Sequence, residues 1–399
     1  MPNTVHTAAP SVASLTLLFL RVASAALSSA LTYPFRSTST RASTFRRHVF
    51  FAALRRGLHY ITIPQSRYLS PGTQQQYHNY CSTHAQVPHT MHVQSASSRP
   101  GNDGKGRGRE ALGHWIGRED AETVVLYCHG GGYTQPATRG YFEYWHQMVG
   151  HCSHVTNLKN EKPALAILLL EYTLAPEACY PSQLLEVSTL LSHLLSTGRH
   201  ADSIILAGDS AGGNLALGLL SHILHPHREL PIIKFEGKLK GCLLLSPLVT
   251  FNTDHDSFTR NAEKDILIPT VLKKWGAMFL GAKLSGDGDE RPQNPPVHGD
   301  PFSEPSLNGA SWWLGLPKVV EDMLLWVGKD EVFVDGIKDF HGALSLGWAN
   351  GGGAPENEQL VLTAGAAHIE PVMATMVEPG VKGEARTVIE EWLGKVMER

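Results

Sequence analysis

A five-residue run in the middle of the chain has the composition of a turn that presents a nucleophile. Gly208-Asp209-Ser210-Ala211-Gly212 fits the pattern G-x-S-x-G, with an apolar run at 203–206 before it and a helical stretch at 212–224 after it. That strand–turn–helix context strains the serine backbone and exposes its hydroxyl. We predict that Ser210 is a nucleophile and that Gly208 and Gly212 let its backbone neighbours approach. A glycine-rich helix N-terminus is the alternative interpretation.

A second run could stabilise the negative charge that such a nucleophile creates. His129-Gly130-Gly131-Gly132-Tyr133 follows the apolar run 123–127. Backbone N–H groups bind a tetrahedral oxyanion well because they need not reorganise. We predict an oxyanion hole from Gly131, Gly132 and Ala211, with His129 and Gly130 in structural support. A phosphate-binding glycine turn is the alternative, but no Walker lysine follows.

A serine nucleophile needs a base, and the base needs a carboxylate that orients it. In the strand–turn–helix architecture the chain order is serine, acid, histidine. Asp330 follows the apolar run 323–327, whereas its rival Asp335 falls in the helical segment 334–344. His368 follows the last apolar run, 359–362, and His341 lies in a helical pattern. We predict catalysis by Ser210, Asp330 and His368.

Regular elements must bring these distant residues together. Six short apolar runs alternate with helical stretches, at 123–127, 164–170, 203–206, 242–245, 323–327 and 359–362. Continuous apolar strands that alternate with helices predict a parallel sheet covered on both faces. The stretch 85–108 is predicted as a loop with a domain boundary near residue 100, and 284–311 as a polar surface loop.

The first hundred residues differ from the rest. They contain nine Arg and no Lys, Asp or Glu. Residues 12–32 form an apolar run interrupted by Arg21, which is compatible with a membrane anchor, an organellar presequence or an amphipathic surface helix. We predict membrane association through this single segment, with a cytoplasmic location as the alternative. The stretch 45–62 is predicted as an amphipathic helix, and a second, shorter stretch at 72–82 follows a Pro-Gly turn.

The whole-chain composition excludes several classes of protein. The chain has 399 residues, 42% of them hydrophobic, and a net charge of −3. These values argue against disorder, a coiled coil, a polytopic membrane protein and a nucleic-acid partner. The five cysteines form no CxxC pair, and His151 with His154 is more typical of a solvated loop than of a metal site. We therefore predict no metal and leave the oligomeric state open.

Three motifs together resemble a known family. HGGGY, GDSAGG and the segment 171-EYTLAPE-177 are similar to those of the hormone-sensitive-lipase-like α/β-hydrolases, also called α/β-hydrolase fold-3, over about residues 110–395. The segments 180-YPSQLLE-186, 246-SPLVTF-251 and 312-WWLGLP-317 resemble its fungal branch, which includes steryl acetyl hydrolases and secondary-metabolite cluster hydrolases. Two departures are Thr173, where the family usually has Arg, and His368-Ile369-Glu370 in place of an HGF-type motif.

The resemblance implies an α/β fold with a mostly parallel central sheet, helices on both faces and an N-terminal helical cap. Residues 1–35 would then be the anchor or targeting segment, 36–100 the cap and linker, and 101–399 the catalytic domain. It also implies a serine carboxylic-ester hydrolase that needs no cofactor and acts on a short-acyl ester, such as an acetyl ester, of a hydrophobic alcohol or secondary metabolite. The same resemblance allows C–C condensation or cyclisation of a polyketide-derived intermediate. It also allows a non-catalytic ligand-binding protein, although such proteins typically lack the histidine.

Overall fold

A central eight-stranded sheet organises the chain. The computed structural model describes residues 9–95, 110–156, 162–282, 298–378 and 380–399. The strand order across the sheet is β1-β2-β4-β3-β5-β6-β7-β8. Strands β3 to β8 pair in parallel, and β2 pairs antiparallel with both β1 and β4. The strands are β1 Thr90–Gln94, β2 Glu110–Ile116, β3 Thr123–Cys128, β4 Leu165–Glu171, β5 Ile204–Asp209, β6 Leu239–Leu245, β7 Val320–Gly328 and β8 Glu358–Thr363.

The six predicted strands correspond to β3–β8, and the mostly parallel sheet is confirmed. Every residue of β3 and β5 is buried, as expected for strands covered on both faces. The prediction of a loop throughout 85–108 was wrong, because β1 lies within it. This short edge strand has partly exposed and exposed residues, so its sequence lacks the apolar run of a central strand. Residues 96–109, with the predicted boundary near residue 100, lie outside the described residues, as do 284–297.

Helices cover both faces of the sheet. One face packs against α6, α7 and α10, and the other packs against α5 and α12. The helices are α1 Val12–Thr32, α2 Phe45–Tyr60, α3 Ile63–Leu69, α4 Thr73–Thr83, α5 Arg139–Thr156, α6 Ser182–Ser196, α7 Ala211–Leu224, α8 Ser257–Arg260, α9 Pro269–Phe279, α10 Val334–Asn350, α11 Glu370–Val377 and α12 Glu384–Glu398. The carboxyl ends of β3, β5, β7 and β8 therefore point to the same edge, where parallel α/β sheets hold their sites.

The first two helices pack side by side in opposite directions. Gln65, just beyond α2, donates to the carbonyl of Ser14 at 3.2 Å, and Ser29 donates to the carbonyl of His48 at 3.3 Å. The Arg21 guanidinium lies 4.0 Å from the centre of the Tyr60 ring, on the side of α1 that faces α2. Arg21 is the only charged side chain of α1, and it therefore points towards α2 and not towards the exposed face of the helix.

The second helix connects this pair to the rest of the chain. Arg47 on α2 forms ion pairs with Glu370 at 2.7 Å and Glu378 at 2.8 Å, next to α11. Phe51 is buried in the core cluster. The predicted helix at 45–62 is therefore present as α2, and it packs on the part of the chain that follows His368.

Candidate active site

The turn between β5 and α7 presents Ser210 as the nucleophile pattern requires. Ser210 has φ of +51° and ψ of −118°, a backbone conformation that non-glycine residues rarely adopt. A Cβ on Gly208 would lie 2.3 Å from the carbonyl oxygen of Gly212, and one on Gly212 would lie 1.9 Å from that of Cys128. Only glycine fits at both positions, so the turn can bring the start of α7 against the end of β3.

His368 lies directly beside this serine. Its Nε2 is 2.9 Å from Ser210 Oγ, and both side chains are largely buried. His368 comes from the loop after β8, while Ser210 comes from the turn after β5. The structure thus brings the predicted nucleophile and the predicted base into hydrogen-bonding distance.

The carboxylate that faces the other nitrogen of His368 belongs to Glu331. Its Oε1 lies 3.7 Å from His368 Nδ1, slightly beyond hydrogen-bonding distance, and among the described residues neither atom has a hydrogen-bond partner. The second oxygen, Oε2, accepts from Ser246 Oγ at 2.5 Å and from the backbone N–H of Gly328 at 2.9 Å. This anchoring leaves Oε1 free for the imidazole, and such contacts shorten when a substrate is bound.

The predicted acid, Asp330, points elsewhere. Its carboxylate accepts from Lys264 Nζ at 2.6 Å, in a partly buried ion pair. The rival Asp335 pairs with Arg260 at 2.8 Å and caps the backbone N–H of Ser257. The structure therefore corrects the position of the carboxylate from Asp330 to the next residue, because the turn after β7 directs only that side chain inward.

The surroundings of His368 favour its protonated form. Burial lowers the pKa of His368, but the Glu331 carboxylate, with further contributions from Asp265 and Asp209, outweighs that effect and raises it above 6.5. An imidazolium next to two or three buried carboxylates is stabilised by their charge. The neutral imidazole of His368 can therefore accept the proton of Ser210, because the imidazolium that forms is stabilised by these carboxylates.

The loop after β3 supplies backbone donors. Gly131 and Gly132 have φ of +107° and +58°. Within the described ranges, no acceptor is bonded to the N–H groups of Gly131, Gly132 or Ala211. A Cβ on Gly132 would lie 2.1 Å from the Trp275 ring, so this residue is closely covered by α9. These backbone N–H groups are therefore available as donors, and the oxyanion hole stays a prediction.

A buried network under the loop holds it in place. Asp209 Oδ1 accepts from the backbone N–H of Gly130 at 2.8 Å and from Tyr127 at 2.5 Å, and Oδ2 accepts from Tyr141 at 2.9 Å. Burial raises the pKa of Asp209 to about 6, with the donors acting against that effect. This carboxylate fastens the oxyanion loop to the nucleophile turn.

His129 supports the same loop from the other side. Its ring stacks on Tyr172 with the ring centres 4.3 Å apart, and its Nδ1 lies 2.7 Å from the carbonyl oxygen of Gly130. Burial lowers the pKa of His129 to about 4, so its imidazole is neutral at physiological pH. These contacts agree with a structural position for His129 and Gly130.

Comparisons with known proteins point to one family. A family model described as alpha/beta hydrolase fold matches residues 125–320. The chain is 28% identical to steryl acetyl hydrolase 1 of Saccharomyces cerevisiae over 222 residues, which cover 53% of this chain and 45% of the relative. It is 25% identical to an acetyl-hydrolase of Streptomyces hygroscopicus over 224 residues, which cover 55% of this chain and 62% of the relative.

Solved structures share the fold. A thermostable esterase from Pseudomonas putida superposes with a TM-score of 0.62 at 15% identity, covering 90% of this chain and 97% of its own. An esterase of the bacterial hormone-sensitive lipase family superposes with a TM-score of 0.56 at 20% identity, covering 89% and 99%. The chain has the α/β-hydrolase fold, and its sequence is similar to that of hormone-sensitive-lipase-like members of this fold.

The sequence alignments cover only part of this α/β-hydrolase and only part of each relative. The chain spans about half of the length of the curated relatives it matches, between 45% and 62% for the two described above. The family match ends at residue 320, before Glu331 and His368. The positions of the base and its carboxylate therefore depend on the geometry alone.

The space in front of Ser210 is narrow and mostly apolar. A cavity of about 20 Å³ opens on the serine, a volume that holds little more than one water molecule. Its walls come from the oxyanion loop, the loop after β6, α9 and Phe333. The lining residues are Gly132, Tyr133, Leu248, Phe251, Leu267, Leu272, Trp275, Gly276 and Phe333.

The remaining candidate ligands and bases lie away from this cavity. His341, on α10, forms a pair with Glu358, on β8, at a distance of 2.7 Å. His151 lies 3.7 Å from Glu390, and the side chain of His154 lies outside the described residues. Across the described ranges, no group of three His, Cys, Asp or Glu side chains is placed to hold a metal ion.

Proposed function

We propose that this α/β-hydrolase cleaves short-acyl carboxylic esters through an acyl-enzyme on Ser210. The observation that carries this proposal is the 2.9 Å contact between Ser210 Oγ and His368 Nε2 beside the backbone donors of the glycine loop. The names of the relatives, acetyl-hydrolase and steryl acetyl hydrolase, support the same chemistry. Catalysis by Ser210, Glu331 and His368 replaces the predicted triad with Asp330.

The first half-reaction would form the acyl-enzyme. His368 Nε2 takes the hydroxyl proton as Ser210 Oγ attacks the ester carbonyl carbon, and the carbonyl oxygen becomes an oxyanion. The N–H groups of Gly131, Gly132 and Ala211 bind that oxyanion. When the intermediate collapses, the carbon–oxygen bond to the alcohol breaks and His368 gives its proton to the leaving oxygen.

The second half-reaction would release the acid. A water molecule loses a proton to His368 and attacks the acyl carbon. The resulting intermediate collapses with proton return to Ser210, which frees the carboxylic acid and restores the hydroxyl. During both halves Glu331 stabilises the imidazolium and holds its tautomer.

The cavity favours a small acyl group. A volume of about 20 Å³ accommodates a methyl-sized group, whereas a longer chain has to displace Leu272 or Phe251. The hydrophobic alcohol or secondary metabolite would lie outside this cavity and is proposed from the similarity to steryl acetyl hydrolase 1. We therefore assign an acetyl ester of a hydrophobic alcohol as the substrate class.

A chain-length series tests this function. We expect Ser210-dependent hydrolysis of p-nitrophenyl acetate and butyrate, a steep fall with octanoate, and covalent labelling by a fluorophosphonate. Labelling without turnover would reject hydrolysis and favour a binding protein. Absence of both would reject Ser210 as an activated nucleophile.

We also propose that α1 attaches the protein to a membrane surface. Residues Val12–Phe35 have a mean hydropathy of 1.6, which is enough by length and composition for a span, and only 11% of the most apolar window is buried. The outer face of α1 exposes Leu17, Leu20, Leu27 and Leu31 by 48–65%. Since the opposite face packs on α2, an orientation along the membrane surface keeps these helix contacts, whereas a span would break them.

Vesicle flotation tests this attachment. We expect the full chain to float with phosphatidylcholine–phosphatidylserine vesicles and Leu20→Glu/Leu27→Glu to remain in solution. The control Ile232→Glu/Leu346→Glu changes two exposed apolar residues elsewhere and should still float. Release from cell membranes by alkaline carbonate supports the surface orientation, and resistance to it supports a span. Equal flotation of both double variants would contradict a role for α1.

A further inference from the structure

A second buried carboxylate, Asp265, connects two loops of the site. One is the loop after β8 that carries His368, here called the base loop, and the other is the turn after β7 that carries Glu331, here called the acid loop. Its Oδ1 accepts from the backbone N–H of His368 at 3.2 Å and from that of Ile266 at 2.7 Å. Its Oδ2 accepts from the backbone N–H of Val332 at 2.7 Å, one residue after Glu331. The side chain is fully buried, and the mechanism above does not use it.

The segment that carries Asp265 also binds the acid loop through a second side chain, that of Asn261. Asn261 Nδ2 donates to the carbonyl oxygens of Lys329 at 3.0 Å and Glu331 at 2.8 Å. The backbone N–H of Asp265 in turn donates to the carbonyl of Asn261 at 3.1 Å. Residues 261–265 therefore form a platform under the turn that directs Glu331 inward.

The platform is connected to the N-terminal helices. Arg55 on α2 donates from Nη1 to the backbone carbonyl of Asp265 and lies 3.4 Å from Glu263 through Nη2. Its side chain is only 12% exposed. A displacement of α2 would therefore be transmitted by Arg55 to Asp265, and by Asp265 to the backbone of His368.

We propose that Asp265 is a positioning residue of this site, which fixes the backbones that carry His368 and Glu331 and adds a second negative charge beside the imidazole. The proposal rests on the proposed ester hydrolysis for its kinetic assay. A carboxylate suits this position because its two oxygens serve donors on two different loops, and charge-assisted bonds to N–H groups are strong. An amide has only one oxygen to offer.

The electrostatics agree with the geometry. Burial raises the pKa of Asp265 to about 6. The charge of His368 lowers this pKa, and the charge of Glu331 raises it further. The charged groups that face His368 are Glu331, Asp265 and Asp209. Removal of the charge of Asp265 lowers the pKa of His368, so the base stays neutral to lower pH.

The test replaces the carboxylate by an amide of the same shape. We expect Asp265→Asn to lower kcat about tenfold to a hundredfold at pH 8 with little change in KM, because the base is displaced from its attack geometry. We also expect the acid limb of kcat/KM to move to lower pH by about half a unit or more. A purely structural role would lower activity equally at every pH.

The matched control is Asp339→Asn, the same chemical change at a carboxylate on α10 that is 78% exposed. It should leave both kcat and the acid limb unchanged. Unchanged activity of Asp265→Asn, or a loss without any shift of the acid limb, would overturn the proposal. So would an equal shift in both variants.

Two further measurements keep the outcome decisive. An NMR titration of His368, identified by difference from His368→Gln, reads its pKa in each variant without any substrate, so the inference can be judged even if no ester is hydrolysed. If Asp265→Asn does not fold, Arg55→Met leaves every catalytic group in place and should lower kcat several-fold with unchanged KM and acid limb. Unchanged kcat in Arg55→Met would then overturn the proposal.

Discussion

The loops after β3 and β5 and the loops after β7 and β8 face the same cavity, but they hold their side chains by different means. On the first side, the glycine loop and the Ser210 turn are short contiguous motifs whose glycines are required by close contacts, and Asp209 bonds one motif to the other. On the second side, Glu331 and His368 are positioned by side chains far away along the chain, such as Asp265 and Ser246. Substitutions on the first side should therefore act locally, whereas those on the second should spread through partners.

The largest expected effect lies on the first side. Ser210→Ala should lower kcat/KM for a short ester about ten-thousandfold or more, because the triad acts as a unit and only binding and the oxyanion donors remain. The control Ser188→Ala removes a buried hydroxyl on α6 that has no hydrogen-bond partner among the described residues. It should retain full activity in a p-nitrophenyl acetate assay. Covalent labelling of Ser210→Ala by a fluorophosphonate would contradict the assignment.

The next effect decides which carboxylate belongs to the second side. Glu331→Gln should lower kcat about a thousandfold, since the amide cannot stabilise the imidazolium. Asp330→Asn should change it less than about threefold, because the Asp330 carboxylate is bound by Lys264 and not by His368. Steady-state kinetics of the two purified variants make the comparison. A larger loss in Asp330→Asn would restore the sequence-based assignment.

A smaller effect tests how strongly the backbone positions the oxyanion loop. Gly132→Ala should lower kcat about a hundredfold, because the added Cβ meets the Trp275 ring and the positive φ disfavours alanine. Gly150→Ala, on α5 with open space around the new methyl group, should be fully active and slightly more stable. Thermal unfolding and ester kinetics of both variants give the answer. An unchanged kcat in Gly132→Ala would mean that the glycine loop can shift to accommodate the methyl group without loss of the oxyanion donors.

The smallest effect concerns the wall of the cavity. Leu272→Ala should raise kcat/KM for hexanoate relative to acetate by a few-fold, since it removes apolar volume beside Ser210. Leu346→Ala makes the same change at an exposed position on α10 and should leave the ratio as it is. An unchanged ratio in Leu272→Ala would mean that the acyl chain lies elsewhere.

The contrast between the two sides also explains what could be predicted from the sequence. The nucleophile turn and the glycine loop can be recognised as contiguous sequence patterns, even though Gly132 also meets Trp275 on α9. The strands β3–β8 were predictable because burial on both faces makes them continuously apolar. These features need no knowledge of distant partners.

The acid could not be assigned in the same way. Asp330 and Glu331 are adjacent acidic residues after the same strand, and their types do not reveal which one turns inward. The choice depends on Lys264, which attracts Asp330 outward, and on Ser246 and Gly328, which bind Glu331. Asp265 had no motif around it, because its role comes from backbone groups of two loops that meet only in the folded chain.

The contact between Ser210 and His368 joins residues 158 positions apart along the chain. At an elongation rate of about 5–20 residues per second, a ribosome that has made the serine needs roughly 8 to 30 s more to reach the histidine. Throughout that interval the nascent chain carries an unactivated hydroxyl, and the base arrives only with β8 at the far edge of the sheet. The proposed hydrolytic activity would therefore begin late in synthesis, when most of the catalytic domain has already been made.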